Sequence, residues 1–393
     1  MAVAGAGAFG RNHLRVYSEL ERADAGVELV ACVEPDAGRA AEVEAQYGIP
    51  VFAGVEELLR ADTRVQAASV AVPTVQHHAV ASALLDAGLD VLVEKPIAAT
   101  LAEADDLVAH AERAGRVVQV GHLERFNPAV LAVQPRLKRP MFFEAHRLSV
   151  FTPRSLDVDV VLDLMIHDLD IVLTFAASPV REVRAVGLPI VSPKVDIANV
   201  RVEFESGCVA NFTASRVSTE RVRKLRFFEP RQYVSIDYAR RDVIVIRIDE
   251  KAATPVSPQL AALAAEFVAT GKVDFKVVQG LLAGGQIPAP LLAQFMAAQG
   301  DPEKIKALAR SLAEPAGDTT PGPAPGLSFV KPEVTPGEPL RLEIQSFLEC
   351  VRTRQQPRVT ARQGREALAV ALAIQDTMAA HAHRAGLGDF FEG

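Results

Sequence analysis

The sequence predicts an α/β fold: an N-terminal doubly wound parallel sheet, then an α+β domain with a large open, mainly antiparallel sheet. Over about the first 120 residues, short apolar runs alternate with amphipathic segments. This alternation is typical of parallel strands that are buried on both faces by helices. Beyond residue 140 the strands are longer and follow one another closely, which favours antiparallel pairing.

The first domain is expected to contain five strands with helices between them. The expected strands are Ala2–Ala4, Glu28–Val33, Ala68–Val72, Val91–Val93 and Val117–Val120. The expected helices cover residues 11–22, 37–47, 55–61, 77–87 and 101–114. Thr100 and Glu103 have the T-x-x-E spacing of a capping box, which predicts the start of the last helix.

The second domain is expected to begin with an apolar helix at about 159–175. Strands should follow at 181–190, 197–205, 208–217, 222–229, 233–238 and 242–248. An insertion at 250–327 has expected helices at 259–270, 289–299 and 302–313 and a Pro/Gly-rich stretch at 317–326. Two closing helices are predicted from the pairs Thr335/Glu338 and Thr360/Gln363. The predicted division is therefore 1–122, 123–334 and 335–393, with the last part packing back on the core.

Composition restricts the class of protein. With 49% hydrophobic and 23% charged residues, the chain is typical of a soluble globular protein. A net charge of −7 argues against nucleic acid or an anionic membrane as the main partner. Its three cysteines, Cys32, Cys208 and Cys350, are widely separated, which suits a reducing compartment. No apolar run has membrane-spanning length, and the N-terminus does not resemble a signal peptide, so a cytoplasmic location is expected.

A glycine-rich loop follows the first expected strand. Gly5, Gly7 and Gly10 have G-x-G-x-x-G spacing between a strand and a helix, which predicts a Rossmann dinucleotide site. Glu34 follows the second strand, where a carboxylate accepts from the ribose hydroxyls of NAD and repels the 2′-phosphate of NADP. Arg11 and Arg39 weaken that discrimination, so NAD is predicted with NADP as the less favoured cofactor. The alternative is a strand–turn–helix with incidental glycines.

A lysine directly follows an apolar strand. Ligands of open α/β sheets bind outside the carboxyl ends of the strands, so Lys95, just after Val91–Val93, is expected on the cofactor side. Pro96 restricts the backbone there. The alternative is an ordinary solvated loop lysine.

The stretch LDLMIHDLDIVL is apolar except for a narrow polar stripe. Asp163, His167 and Asp170 recur at helical spacing, and Asp168 lies off the stripe. A helix that is apolar nearly all round is buried, so the stripe should line a pocket or pair internally. Metal ligation is a rival interpretation. Because there is no third ligand cluster, we predict that no metal is bound.

Together with VPTVQH (Pro73 to His77) and Glu94-Lys95-Pro96, these motifs resemble the glucose–fructose oxidoreductase/inositol dehydrogenase/MocA (Gfo/Idh/MocA) family. The resemblance covers about residues 1–250 and 330–380. It implies nicotinamide-dependent oxidation of a sugar or cyclitol hydroxyl, or the reverse reduction. The implied cofactor-binding residues are Gly5, Gly7, Ala8, Phe9, Gly10, Glu34, Pro73, Thr74, His77, Glu94 and Lys95.

The resemblance also implies three catalytic roles. Lys95 would contact the reacting oxygen, His167 would exchange its proton, and Asp163 would orient the pair. Hydride leaves carbon only as the hydroxyl loses its proton, so a base and a nearby cation both suit the reaction. Whether Lys95 or His167 is the base is left open by the sequence.

Residues 120–130, 151–170 and 213–228 are similar to the branch of the family that includes UDP-N-acetylglucosamine 3-dehydrogenases. This implies oxidation of the sugar 3-hydroxyl to a ketone, which an aminotransferase then uses for lipid A. Arginine forks suit the diphosphate of such a substrate. The candidate substrate residues are Lys95, Arg125, Asn127, Arg154, Asp163, His167 and Arg216. Arg221, Arg223 and Arg226 are also available, or simply solvate an edge strand.

Two other functions compete with this one. A dehydrogenase of free sugars or inositol would act without a nucleotide. An idle NAD-binding sensor would bind the cofactor without reducing it, and would not need Lys95, Asp163 and His167 together. Because a sheet face without covering helices favours association, a homodimer or homotetramer is expected.

Overall fold

The computed structural model describes residues 1–61, 63–152, 158–248, 257–271, 274–284, 287, 289–298, 301–313, 319–321 and 327–387. The chain divides into two compact units. The first comprises Met1–Phe227, Ile236–Asp242 and Val334–Gly393, and the second comprises Phe228–Ser235 and Val243–Glu333. The domain boundaries at 122 and 334 stay predictions.

The first unit contains a six-stranded sheet in the order β3-β2-β1-β4-β5-β6, and its paired strands run parallel. The strands are β1 Ala2–Ala4, β2 Ala31–Val33, β3 Val51–Phe52, β4 Ala67–Val70, β5 Asp90–Glu94 and β6 Val118–Gly121. The helices between them are α1 Gly10–Arg22, α2 Ala37–Tyr47, α3 Val55–Arg60, α4 His77–Asp86 and α5 Leu101–Ala114. The predicted doubly wound sheet is confirmed. Only β3 was missed, because two residues make no recognisable apolar run.

The first unit also contains strands of a second, mixed sheet, in the order β11-β7-β10-β9-β8. Its elements are α6 Pro128–Val133, β7 Phe142–Val150, α7 Ile166–Ala176, β8 Val180–Leu188, β9 Ile197–Phe204, β10 Val209–Ser218 and β11 Val222–Glu229, whose last two residues belong to the second unit. Strands β8, β9 and β10 pair antiparallel, as predicted, whereas β10 pairs parallel with β7. Strand β7 was not predicted.

The second unit consists of strands and a helical segment. Its strands are β12 Gln232–Asp237, whose last two residues belong to the first unit, β13 Asp242–Ile248, whose first residue does so, β14 Thr319–Pro321 and β15 Leu327–Val330. Its helices are α8 Pro258–Thr270, α9 Phe275–Ala283, α10 Ala289–Ala297 and α11 Pro302–Ala313. Strand β15 pairs antiparallel with both β13 and β14. Leu260, Leu281 and Leu291 form a small buried cluster among the helices. Helix α9 was not predicted.

Two helices end the first unit, α12 Pro339–Thr353 and α13 Ala361–Arg384. The capping box of Thr360 and Gln363 is confirmed, as is that of Thr100 and Glu103. The capping box predicted for Thr335 and Glu338 is wrong. Helix α12 begins at Pro339, and the Glu338 side chain makes no cap hydrogen bond but accepts from Arg15 instead.

Apolar side chains cover both faces of the parallel sheet. Alternate residues of a strand face opposite sides, and Val3 packs in a cluster with Phe347 of α12. Its neighbours Ala2 and Ala4 pack in the other cluster, with Leu368 of α13. Both C-terminal helices therefore belong to the core of the unit that carries the glycine-rich loop. No helix within the described ranges has the length and apolarity to cross a membrane.

Candidate active site

The glycine-rich loop is closely packed on one side and open on the other. Gly5 has φ +92°, and a Cβ there would lie 2.6 Å from Ala71 O. A Cβ on Gly10 would lie 1.8 Å from Gly5 O, so neither position accepts a side chain. At Gly7 a Cβ would meet nothing within 4 Å. The backbone at Gly7 and the N-terminus of α1 are therefore accessible to an anionic group such as a pyrophosphate.

Glu34 lies just beyond the end of β2 and faces the glycine-rich loop. Its Oε2 accepts from Ala6 N at 2.8 Å, and its Oε1 accepts from Asp36 N at 3.0 Å and from Arg39 Nη2 at 2.8 Å. Burial raises the pKa of Glu34, but the hydrogen bonds outweigh this and hold the pKa below its usual value. The carboxylate is thus ionised beside the loop. These residues fit a dinucleotide, because the open loop suits its phosphates and the carboxylate suits its ribose hydroxyls.

The other predicted cofactor-binding residues lie in the loops that follow β1, β4 and β5. Ala8 and Phe9 are exposed just before α1. Pro73, which follows β4, is also exposed. Thr74 is half-buried and lines the cavity described below. Glu94 is the last residue of β5 and is buried.

His77 connects two of these loops. Its buried ring places Nδ1 2.8 Å from Pro96 O and Nε2 3.0 Å from Val72 O. Burial lowers the pKa of His77, although both carbonyl contacts oppose the shift. The ring joins the loop after β4 to the loop that carries Lys95, so its direct role is to hold the two loops together.

Lys95 follows β5 and donates to the backbone of a helical turn. Its Nζ lies 2.8 Å from Asp163 O and 3.4 Å from Leu162 O. Both carbonyls belong to a π-helical turn, Val161–Met165, that precedes α7. Such turns are rare and are frequent at functional sites. The ammonium therefore donates to two backbone carbonyls of this turn.

The predicted polar stripe is divided by this turn. Asp163 lines a cavity, and His167 is half-buried with its Nδ1 unpartnered within the described part of the chain. Asp170 is buried, and its Oδ1 lies 3.3 Å from Arg125 Nη1. The stripe was predicted either to line a pocket or to pair internally. Asp163 lines a pocket, and Asp170 pairs internally with Arg125.

Burial sets the charge state of both candidate catalytic bases. It lowers the pKa of Lys95, while the nearby carboxylates Asp163 and Glu94 oppose the shift. Burial also lowers the pKa of His167 well below its ordinary value, and the charges of Lys95 and Arg147 add to that effect. At neutral pH His167 is therefore uncharged.

A cavity of about 710 Å³ opens at Lys95. Its walls include Thr74, Lys95, Asp163, Lys194, Gln375 and His383. The volume is within the range typical of small-molecule sites. Lys95 and Asp163 thus meet in one cavity, whereas His167 does not line it.

The predicted substrate residues Arg125, Asn127 and Arg216 have protein partners inside the unit. Arg125 Nη1 contacts Asp170 and Thr174, and its Nη2 donates to Arg358 O at 3.0 Å. Arg216 Nε lies 3.6 Å from Asp196 Oδ1. The charges of Arg125 and Arg216 are thus balanced inside the protein. The substrate roles of both arginines stay predictions without support from their surroundings.

Asn127 likewise serves the fold. Its Oδ1 accepts from Ala129 N at the start of α6, and its Nδ2 donates to Glu124 Oε2 at 3.0 Å and to Tyr238 O at 3.1 Å. Arg154 lies outside the described residues.

Several buried polar residues next to the site were not predicted. His13 Nε2 lies 2.9 Å from Glu94 Oε1, which connects α1 to the residue before Lys95. Both ring nitrogens of His122 and both carboxyl oxygens of Glu343 are buried without a partner among the residues described. Burial raises the pKa of Glu343 well above its usual value, and Glu94 adds to the shift. For His122, the Gly-His pair in VGHLERF is a sequence signal that could have marked the residue as part of the site. No comparable signal surrounds Glu343.

Arg147 of β7 was also missed. It is buried beside Asp168, with Nε 2.7 Å from Oδ2, and its Nη1 lies 3.0 Å from Glu124 Oε1. Its guanidinium lies 5.1 Å from the ring centroid of Tyr238. An arginine at an inward position hides the alternating pattern of β7, which explains why the strand escaped prediction.

A dinucleotide loop, a carboxylate after β2 and a lysine at the end of β5 define an oxidoreductase with a nicotinamide-binding Rossmann domain. Residues 1–122 match the oxidoreductase family model with an NAD-binding Rossmann fold, and residues 130–231 match the Gfo/Idh/MocA C-terminal domain. The chain belongs to the Gfo/Idh/MocA family of oxidoreductases, as the sequence predicted.

Two relatives and one solved structure illustrate the similarity. The UDP-N-acetylglucosamine 3-dehydrogenase of Acidithiobacillus ferrooxidans is 39% identical over 237 residues, which are 60% of this chain and 73% of that protein. Inositol 2-dehydrogenase 1 of Saccharopolyspora erythraea is 32% identical over 192 residues, 46% of this chain and 55% of that protein. A solved structure of the Acidithiobacillus enzyme has a TM-score of 0.73 at 29% identity and covers 96% of this chain and 97% of its own.

Within the described ranges, no group of three or more His, Cys, Asp or Glu side chains is arranged to hold a metal ion. That no metal takes part stays a prediction.

Proposed function

We propose that this oxidoreductase uses NAD to oxidise the 3-hydroxyl of UDP-N-acetylglucosamine to a ketone. The observation that carries the proposal is the 39% identity to a dehydrogenase named for that substrate, over 73% of its length. The surroundings of Lys95 support the chemistry, because Lys95 and Asp163 line one cavity and the charge of Lys95 acts on the uncharged imidazole of His167.

The proposed roles follow from charge and position. When bound, the nicotinamide supplies the acceptor for the hydride. Neutral His167 takes the proton from the sugar hydroxyl, a contribution of about 10²–10⁴-fold for such catalysis. The Lys95 ammonium stabilises the developing negative charge on the oxygen. Asp163 keeps Lys95 protonated, since its carboxylate raises the lysine pKa against the effect of burial.

The preference for NAD over NADP rests on Glu34. Its ionised carboxylate lies beside the glycine-rich loop, where it repels a 2′-phosphate. Arg39, whose Nη2 lies 2.8 Å from Glu34 Oε1, partly offsets that repulsion.

The cellular setting is part of the same proposal. The ketone would be the substrate of an aminotransferase that makes a diamino sugar for lipid A. We place the enzyme in the cytoplasm as a homodimer or homotetramer, without nucleic-acid or membrane partners.

A second candidate function is oxidation of a free polyol such as inositol. The relative that favours it is the inositol 2-dehydrogenase at 32% identity. This alternative keeps the same catalytic residues and the same cofactor, but it requires no nucleotide on the substrate.

The test is the appearance of the NADH absorbance band with NAD and UDP-N-acetylglucosamine at alkaline pH in the presence of a ketone trap. Free N-acetylglucosamine and myo-inositol serve as alternative substrates. Activity restricted to the UDP-sugar supports the proposal, and activity with myo-inositol alone favours the second candidate. Binding of NAD without reduction by any substrate would instead indicate a sensor.

A further inference from the structure

Arg223 lies on the inner face of the mixed sheet. Alternate residues of a strand share a face, and Leu225 and Phe227, two and four positions later in β11, are fully buried. The backbone carbonyl of Arg223 accepts from Tyr238 N at 3.0 Å, which fixes the strand at that point. The arginine is half-buried. Its guanidinium therefore faces the interior of the first unit.

The guanidinium of Arg223 forms no ion pair of its own with the residues that the structure describes. Its Nε is buried and has no hydrogen-bond partner within the part of the chain that the structure describes. The nearest carboxylates, Asp168 and Glu124, are both bonded to Arg147. Burial lowers the pKa of Arg223, and the cations Arg147 and Arg221 lower it further. An unpaired, partly desolvated cation is unfavourable unless an anion joins it.

This cation is close to the proposed catalytic site. Arg223 and Arg147, on the neighbouring strands β11 and β7, both act electrostatically on His167. Arg221 is exposed directly before β11, two positions from Arg223. Arg223 thus places a positive charge within the electrostatic reach of His167, the residue proposed to take the substrate proton.

We propose that Arg223, assisted by Arg221, binds the diphosphate of the nucleotide-sugar substrate; this inference rests on the proposed function. Planar guanidinium groups match the oxygens of phosphate in a two-pronged geometry that lysine cannot reproduce. Arg226 lies on the opposite face of β11 and contacts Glu144 Oε2 at 3.4 Å, so it takes no part.

The test measures UDP binding by calorimetry in the absence of cofactor and sugar. UDP is titrated into the wild-type protein, Arg223→Gln, Arg223→Lys and the matched control Arg226→Gln. One charge-assisted contact is worth about 10- to 100-fold in affinity. We expect a loss of that size for Arg223→Gln, a smaller loss for Arg223→Lys, and wild-type affinity for Arg226→Gln.

Two results would overturn the inference: wild-type protein that does not bind UDP, or folded Arg223→Gln and Arg223→Lys variants that bind it as tightly as the wild type. Thermal unfolding of each variant shows whether it is folded. If Arg223→Gln does not fold, the UDP affinity of Arg223→Lys alone tests the inference. This variant keeps the positive charge but lacks the planar guanidinium group. Failure of the proposed function looks different: UDP binds through Arg223, yet UDP-N-acetylglucosamine yields no NADH.

Discussion

Replacing Lys95 with Met tests the site most sharply, because it removes one charge and keeps a side chain of similar length. In the wild type, Nζ donates to Asp163 O and Leu162 O at the π-helical turn. The variant loses both contacts and the only charge proposed to face the reacting oxygen. We expect turnover to fall while NAD binding persists, because the glycine-rich loop and Glu34 are untouched.

The magnitude follows from the contacts. Loss of the positioned cation should reduce kcat by about 10²–10³-fold, or about 3–4 kcal/mol in the barrier. Two carbonyls lose a donor, which costs about 1–3 kcal/mol each when they stay unpaired. Removing a buried ammonium should increase stability, because burial of its charge is unfavourable. The lowered pKa of Lys95 reflects this cost. We therefore expect the two effects to offset each other in part and the variant to stay folded in thermal melts.

The assay compares NADH formation and NAD affinity for the wild type, Lys95→Met and the control Lys224→Met. Lys224 lies on the face of β11 opposite to Arg223, so its loss removes an equal charge far from the reacting groups. The reasoning is refuted if Lys95→Met retains activity within about tenfold of the wild type, or if Lys224→Met loses as much.

Three further predictions follow from charge and burial. Glu34→Gln should bind NADP more tightly relative to NAD than the wild type does, in paired fluorescence titrations; an unchanged ratio would contradict the role of the carboxylate. Arg125→Met leaves Asp170 as an unpaired buried charge, so the free energy of unfolding should fall by about 3–5 kcal/mol in urea titrations; a stable variant with a raised KM would instead indicate substrate contact. Folded His167 stays uncharged at pH values where the unfolded chain gains a proton, so stability should fall as pH drops below 6.5. Over that pH range, His167→Asn should lose less stability than the wild type in thermal melts. An equal loss in both proteins would exclude His167 as the cause.

Much of the fold was predictable because its signals are local. Apolar runs located β1 and β5, and the capping boxes at Thr100 and Thr360 set the starts of α5 and α13. These features depend on residues within a few positions of each other. The Lys95 position was predictable for a related reason, because the carboxyl end of a parallel strand is fixed by the strand itself.

The rest depended on distant contacts. Glu338 fails as part of a capping box because Arg15, from the other end of the chain, takes its carboxylate. The π-helical turn is stabilised by Lys95, which lies 67 and 68 positions before the carbonyls it contacts. The inward position of Arg147 was not predictable, because its buried charge is stable only beside Asp168. Which arginine carries an unmatched charge likewise follows only from the packed structure.

The measurement that tests the central claim most directly is hydride transfer from UDP-N-acetylglucosamine carrying deuterium at C3. The protein is incubated with NAD, and the reduced cofactor is analysed by mass spectrometry. We predict that deuterium appears in the NADH and that the sugar becomes a 3-ketone, with the label absent when Lys95→Met is used. Unlabelled NADH formed from the labelled sugar, or labelled NADH formed equally by Lys95→Met, would contradict the account.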